Sequence, residues 1–166
     1  IEGHDIEAQM EAFRFQFRLA QSRELPISIH CLRAWGLLHD LLKEEGCSVR
    51  GFLLHSYAGP LEMVETFVAL GARFSFSGYF ASDDKSKKRA AFDRVPLDRL
   101  LIESDAPDML GPEELMLEEL RDKNGRPINS PLNLPRIYEY VAGMRNMSLE
   151  MLIPVVAENF ETFFHR

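Results

Sequence analysis

Hydrophobic positions along this chain switch repeatedly between two periods. Residues 6 to 23 (IEAQMEAFRFQFRLAQSR) set Ile6, Met10, Phe13, Phe17 and Ala20 three and four apart, the stripe of a helix buried along one side. PISIHC, residues 26 to 31, is short, β-branched and opens on a proline, which predicts a buried strand. Residues 34 to 45 (AWGLLHDLLKEE) return to helical spacing and stop at Gly46, a residue suited to a C-cap; VRGFLLHS, residues 49 to 56, is a second strand. PLEMVETFVAL, residues 60 to 70, has proline in its first turn and glycine just past its end, the asymmetry of a helix. ARFSFSG, residues 72 to 78, alternates as a third strand, residues 84 to 94 are helical, and RLLIESD, residues 99 to 105, is a fourth strand. A stretch rich in Pro, Gly and Asn runs from 106 to 134 with a short helix at 112 to 121, and helices at 135 to 143 and 148 to 163 follow.

Strands and helices in strict alternation predict an α/β fold, with a parallel sheet covered by helices. Two architectures fit that order. A doubly wound sheet usually carries a glycine-rich phosphate turn after its first strand, and neither G-x-G-x-x-G nor G-x-x-x-x-G-K-[ST] occurs here. A (β/α)8 TIM barrel places its chemistry at the carboxyl ends of its strands, where PISIH ends in His30, GFLLH in His55 and LLIESD in Asp105. Closing a barrel takes eight strands and typically about 250 residues, so four strands make half of one.

The 166 residues, 46% hydrophobic and 27% charged, suit one globular domain with a real core. Nothing approaches an apolar membrane span, and IEGHDIEAQM has neither the basic flank nor the apolar run of a signal peptide; an intracellular, cytoplasmic protein without membrane partners is expected, the nucleus remaining open. Cys31 and Cys47 are too few for a disulfide framework and read as reduced core residues. A net charge of −7 argues against gripping nucleic acid by a general basic surface, so any phosphate must be held locally, by a metal or a few cations.

A single histidine in an apolar strand is more often a hydrogen-bonded core residue than a ligand. Asp105 is harder to dismiss, because an acid leaving a sheet interior cannot be buried unpaired without a large cost. Two imidazoles and a carboxylate at equivalent places in successive units point together to a divalent ion. His4, His39 and His165 lack that setting and read as surface or packing residues. Glu103 shares a strand face with Asp105 by period two, which suits it either to steady a ligand imidazole or to pair with a neighbour as a polar lining residue. Arg33, just beyond His30, is a candidate for a substrate phosphate, or a plain surface arginine at a helix start. Lys85, Lys87, Lys88 and Arg89 form the one local basic patch, a candidate DNA guide or solvated surface. Tyr57, Tyr79 and Phe80 are candidates to stack on bases, against the commoner fate of packing.

IHCLRAWG, HSYAGP, GARFSFSG and above all VPLDRLLIESDAPD resemble the TatD-like deoxyribonuclease family, metal-dependent hydrolases on an amidohydrolase-type TIM barrel. The similarity runs almost end to end, from AFRFQFRLAQSRELP to AENFETFFH. It implies that residues 1 to 166 are a single partial domain, the C-terminal half of the barrel with strands five to eight. His30, His55 and Asp105 then fall on metal-ligand positions, Asp105 also being the catalytic carboxylate, with Glu103 behind them and Arg33 toward substrate. By the same resemblance the complete site holds two divalent ions (Mg, Mn or Zn), His30 and His55 sharing one and Asp105 serving its neighbour. The family's first-strand H-x-H and its fourth-strand bridging Glu have no counterpart in this chain. Ser104 replaces the commoner threonine in E-S-D-A-P, and NSP at 129 to 131 replaces an R-N-E-P type segment, which leaves a substrate role for Asn129 in doubt.

The function implied is hydrolysis of DNA phosphodiesters by a metal-activated water, inactive or impaired in the chain as it stands. Two alternatives remain: a metal-dependent hydrolase of a small ester, lactone or amide, and a non-catalytic shortened product with a binding or regulatory role. Half a barrel also exposes two strand edges, so self-association is expected.

Overall fold

The computed structural model describes residues 5–46 and 48–165; His4 and Cys47 lie outside them. Helix α1 (Ile6–Ser22) begins where the Asp5 carboxylate accepts the Ala8 N–H at 3.1 Å, and it buries Phe17 and Ala20. Its outer face sends Arg14 and Arg18 to Glu44 and Glu45 at the end of α2 (Trp35–Glu45), each at 2.6 Å. Between these helices lies β1, which is only Ser28–Ile29, so His30 stands just past its end.

β2 (Phe52–Leu54) follows α2, and α3 (Val64–Ala69) is entered through a 3-10 turn at Leu61–Met63. β3 (Ala72–Ser77) starts beside β2 at a close backbone approach: a Cβ on Gly51, whose φ is +71°, would sit 2.3 Å from the Gly71 carbonyl oxygen. The helix expected over 84 to 94 is a continuous helical run that is α-helical for only one turn, α4 (Ser86–Arg89), between 3-10 turns at Asp83–Lys85 and Ala90–Asp93. Arg89 gives the physical reason. Its Nη1 turns back to donate to the carbonyls of Phe80, Ala81 and Ser82 at 2.9, 3.2 and 3.1 Å, while Ala91 and Phe92 dive into the core.

β4 (Leu100–Glu103) is the fourth strand. The short helix expected at 112 to 121 shrinks to a 3-10 turn at Glu113–Leu115, followed by an antiparallel pair, β5 (Leu120–Arg121) with β6 (Pro127–Ile128). Those strands hold two residues each and bury none fully, so they leave no periodic trace; their turn is set by Asp122, whose Oδ1 accepts from the N–H of Asn124 and Arg126, with Gly125 at φ +77°. α5 (Leu134–Met144) and α6 (Leu149–Phe164) follow.

The main sheet is parallel throughout in the order β1-β2-β3-β4. Among the described residues this order shows no reversal, the feature at which a doubly wound sheet binds its ligands. Every residue of β3 is buried, so the alternation in its sequence is not an inside and outside pattern. Phe74 and Phe76 join an aromatic layer with Tyr57 and Phe92, at ring separations of 5.1 Å (Tyr57 to Phe74) and 4.9 Å (Phe76 to Phe92). Ser75 lies on the opposite face, in a groove lined also by Leu53, Leu101, Glu103 and, from α6, Val156 and Phe160. Asn159 of α6 fixes the start of β4 by donating from Nδ2 to the carbonyls of Leu97 and Leu100 at 2.7 and 2.8 Å. Among the described residues, no helix is long and apolar enough to cross a membrane.

Candidate metal centre

Parallel register builds the centre. Ile29 pairs with Leu54, so the next residues, His30 and His55, emerge side by side with ring centroids 5.8 Å apart and planes tilted by 46°. His55 is half-buried and its Nδ1–H donates to Glu103 Oε2 at 2.8 Å, while its Nε2 lies 3.2 Å from Asp105 Oδ1. Glu103 ends β4 and His55 follows β2, so the contact spans β3 between them. Two strand spacings amount to about 9.6 Å, a gap that a histidine and a glutamate close only if the strand between carries small side chains on that face. Ser75 and Ser77 are those side chains, both buried.

The Glu103 hydrogen bond is the main cause that raises the His55 pKa above its ordinary value, with the charges of Glu103 and Asp105 adding to it and partial burial opposing. A carboxylate only accepts, so Nδ1 carries a proton toward Glu103; in the neutral ring this leaves Nε2 as the free lone pair, and in the protonated ring Nε2–H is directed at Asp105 Oδ1 as well. His55, Glu103 and Asp105 form the one group of three metal-capable side chains among the described residues, with one ligand atom from each within 4.8 Å of the others. The residues fit a divalent ion. Two ligands at about 2.1 Å from one ion stand about 3.0 to 3.4 Å apart, the range that contains the Nε2 to Oδ1 separation. In addition, Glu103 Oε1 is buried without a partner, a polar atom still owed one. His30 lies outside this group, exposed, so the geometry pairs His55 with Asp105 more closely than with His30.

Each of the three strand-end loops holds a non-glycine residue in the left-handed region: Arg33 at φ +61°, Ser56 at +47° and Asp105 at +59°. Such conformations cost on the order of 1 kcal/mol or more each and persist only where the surroundings impose them. At Ser56 the restraint is Ser75, whose Oγ accepts the Ser56 N–H at 3.0 Å. At Asp105 it is Asn129, a buried residue whose Nδ2 donates to the Ser104 carbonyl at 2.6 Å and the Asp108 carbonyl at 2.9 Å.

Other sequence candidates are redistributed. Arg33 is exposed beside the His30 loop. Tyr57 and Phe80 are fully buried and have no face for a base, the Tyr57 hydroxyl donating to the Pro60 carbonyl at 2.7 Å. Tyr79 is partly exposed but carries the Lys85 ammonium 4.8 Å above its ring. Lys85 also pairs with Asp84 and Arg89 is spent on carbonyls, so the basic patch reduces to Lys87 and Lys88 on the surface. Cys31 is a free thiol that burial pushes above its ordinary pKa, as suits a reduced, unreactive cysteine. Asn129, singled out in the sequence only by the NSP segment at 129 to 131, bonds to backbone carbonyls of the loop.

Imidazole and carboxylate groups gathered at the carboxyl ends of parallel strands are an arrangement able to hold a divalent ion on an α/β scaffold. The chain belongs to the TatD related DNase family, whose model matches residues 2–165. It is 31% identical over 156 residues to the uncharacterized metal-dependent hydrolase YabD of Bacillus subtilis, covering 94% of this chain and 57% of that protein. It is 30% identical over 157 residues to the 3'-5' ssDNA/RNA exonuclease TatD of Rahnella sp., again covering 94% of this chain and 57% of the relative. Among solved structures, the TatD homolog YjjV of Escherichia coli superposes with a TM-score of 0.77 at 26% identity, over 100% of this chain and 61% of that one. A TatD family hydrolase of Entamoeba histolytica shares the fold with a TM-score of 0.82 at 21% identity, over 99% of this chain and 59% of that one. The chain therefore spans about three-fifths of the length of the relatives it matches.

Proposed function

We propose that this chain carries the strand-end half of a metal-dependent phosphodiesterase site acting on DNA, its four strands corresponding to strands five to eight of a (β/α)8 barrel. The observation that carries the proposal is the His55 arrangement: Nδ1 anchored by Glu103 and Nε2 presented 3.2 Å from Asp105. His55 Nε2 and Asp105 Oδ1 are the donors for one divalent ion, and His30 stands ready to join through its neighbouring ring. A bound ion supplies Lewis acidity and makes a water acidic enough to ionise near neutral pH. Asp105 would hold the ion and could accept a proton from a water beside it, and Glu103 would hold the imidazole in the tautomer that leaves Nε2 free as a donor. Arg33, exposed at the mouth, meets a substrate phosphate by a bidentate contact. Support for a nucleic-acid substrate comes from the relative named as a 3'-5' ssDNA/RNA exonuclease. The edges β1 and β4 suit self-association of the chain.

The test pairs metal titration with a substrate panel of single-stranded DNA, RNA and small esters, on the wild-type chain and Asp105→Asn. Asparagine tolerates the left-handed backbone at this position, so the variant removes the ligand without disturbing the turn. Metal affinity in Asp105→Asn is expected to fall by more than about 100-fold, the upper end for an outer partner of a metal ligand. Equal affinity in the two proteins removes the metal reading. Turnover of small esters alone replaces the nuclease with a small-molecule hydrolase, and metal binding without turnover of any substrate leaves a binding role.

A further inference from the structure

The loop that carries Asp105 has almost no hydrogen bonds of its own. β4 ends at Glu103, and within residues 104–109 the internal contacts are Ala106 N–H to Ser104 Oγ at 3.4 Å and Asp108 N–H to the Asp105 carbonyl at 3.1 Å. Two of its residues, Asp105 and Met109, are held at φ +59° and +51°. One buried side chain supplies the missing order. Asn129 donates from Nδ2 to the carbonyls of Ser104, Asp108 and Met109 at 2.6, 2.9 and 3.3 Å, and its backbone N–H donates to the Pro107 carbonyl at 2.9 Å. Its Oδ1 accepts from the Ser130 N–H at 2.8 Å and from Asn133 Nδ2 at 3.0 Å. Asn133 in turn accepts the Leu117 N–H at 2.9 Å, which ties the same knot to the segment before the β5–β6 hairpin.

We infer that Asn129 is the positioning residue for Asp105, setting the distance between that carboxylate and His55 Nε2 from 25 residues further along the chain than Ser104. The inference rests on the metal reading above. Asparagine alone suits the place: every partner on the Nδ2 side is a carbonyl and every partner on the Oδ1 side is an N–H donor. Aspartate would set an oxygen against three carbonyls, and leucine would take away the donor they share. A metal ligand must be held to about 0.5 Å, and a six-residue loop with two left-handed turns does not hold that by itself.

Asn159 provides the control, since it makes the same kind of amide-to-carbonyl bonds at the opposite end of β4, to Leu97 and Leu100. The experiment measures Mn²⁺ affinity by calorimetry, amide hydrogen exchange over residues 104–109 and thermal stability for the wild-type chain, Asn129→Leu, Asn129→Asp and Asn159→Leu. Both Asn129 variants are expected to bind Mn²⁺ about tenfold more weakly and to exchange faster in that loop, whereas Asn159→Leu melts lower with its Mn²⁺ affinity unchanged. If Asn129→Leu does not fold, Asn129→Asp, which keeps both acceptor contacts, makes the same comparison. Wild-type affinity in a folded Asn129 variant, or an equal loss in Asn159→Leu, overturns the inference alone. No Mn²⁺ binding by the wild-type chain overturns the metal reading, and this inference with it.

Discussion

Replacing Glu103 by glutamine isolates the charge behind His55 from its shape. The glutamine side chain keeps an oxygen for the Nδ1–H, so the 2.8 Å contact loses the carboxylate's charge without opening a cavity. Bonds involving a charged group contribute about 1.5 to 3 kcal/mol and neutral ones about 0.5 to 1.5, which makes the expected loss about 1 kcal/mol. Solvent takes little of that away, because the two side chains are only 26% and 18% exposed. The sign with pH follows from the raised His55 pKa. Protonated His55 is favoured by folding, so this contribution is complete below its unfolded value of about 6.5 and fades as pH rises through the higher folded value. Chelator-treated wild type and Glu103→Gln should therefore differ most in urea unfolding at mildly acidic pH and least at alkaline pH. NMR titration of His55 should show its midpoint falling back toward the ordinary value in the variant. Metal binding has the opposite dependence, since Nε2 must be free of its proton, and affinity should rise with pH through the same midpoint while Glu103→Gln weakens it about 10- to 100-fold. A His55 midpoint unchanged by the substitution, or a stability difference independent of pH, would refute the reasoning.

Arg89→Met should lower unfolding free energy by about 1 to 3 kcal/mol, because the carbonyls of Phe80, Ala81 and Ser82 lose their charged donor, while single-stranded DNA affinity stays unchanged; a DNA-specific loss at full stability would restore Arg89 to the basic patch. Light scattering on the chain should report dimers or larger species, since the open edges β1 and β4 and the groove along Leu53, Leu101 and Phe160 present unpaired backbone and apolar surface; a monodisperse monomer at high concentration would exclude self-association.

The helices at the two ends of the chain were legible because each buries one stripe and leaves the other in water: α1 and α6 fall within a residue or so of the spans their periodicity predicts. Strand existence was legible too, but not strand length. PISIHC reads as six apolar-leaning residues, yet the ladder takes only Ser28–Ile29, because the chain must turn outward to reach the left-handed Arg33 before α2. The segment after β3 was legible as helical, but not the tightening of most of it to 3-10 turns. Its composition is helical, but Arg89 satisfies three carbonyls from behind and releases Phe92 to the core, a tertiary bond that no local period encodes.

The strand-end candidates His55, Glu103 and Asp105 were legible as residues, with His30 left outside their group, but what brings the three together was not. A strand without a ligand looked like the silent member of the series. It is instead the condition for the contact: a side chain as large as leucine at position 75 or 77 would fill the space between β2 and β4 and part His55 from Glu103, which now stand 2.8 Å apart across it. The alternation A-R-F-S-F-S therefore encodes two demands at once, large aromatic rings toward the helices and small hydroxyls toward the centre, with Ser75 also holding Ser56 in place. Asn129 answers the remaining demand from outside the sheet. Strand ends bring the candidate donors to one face, and the contacts around them are made by Ser75 and Asn129, which are not among those candidates.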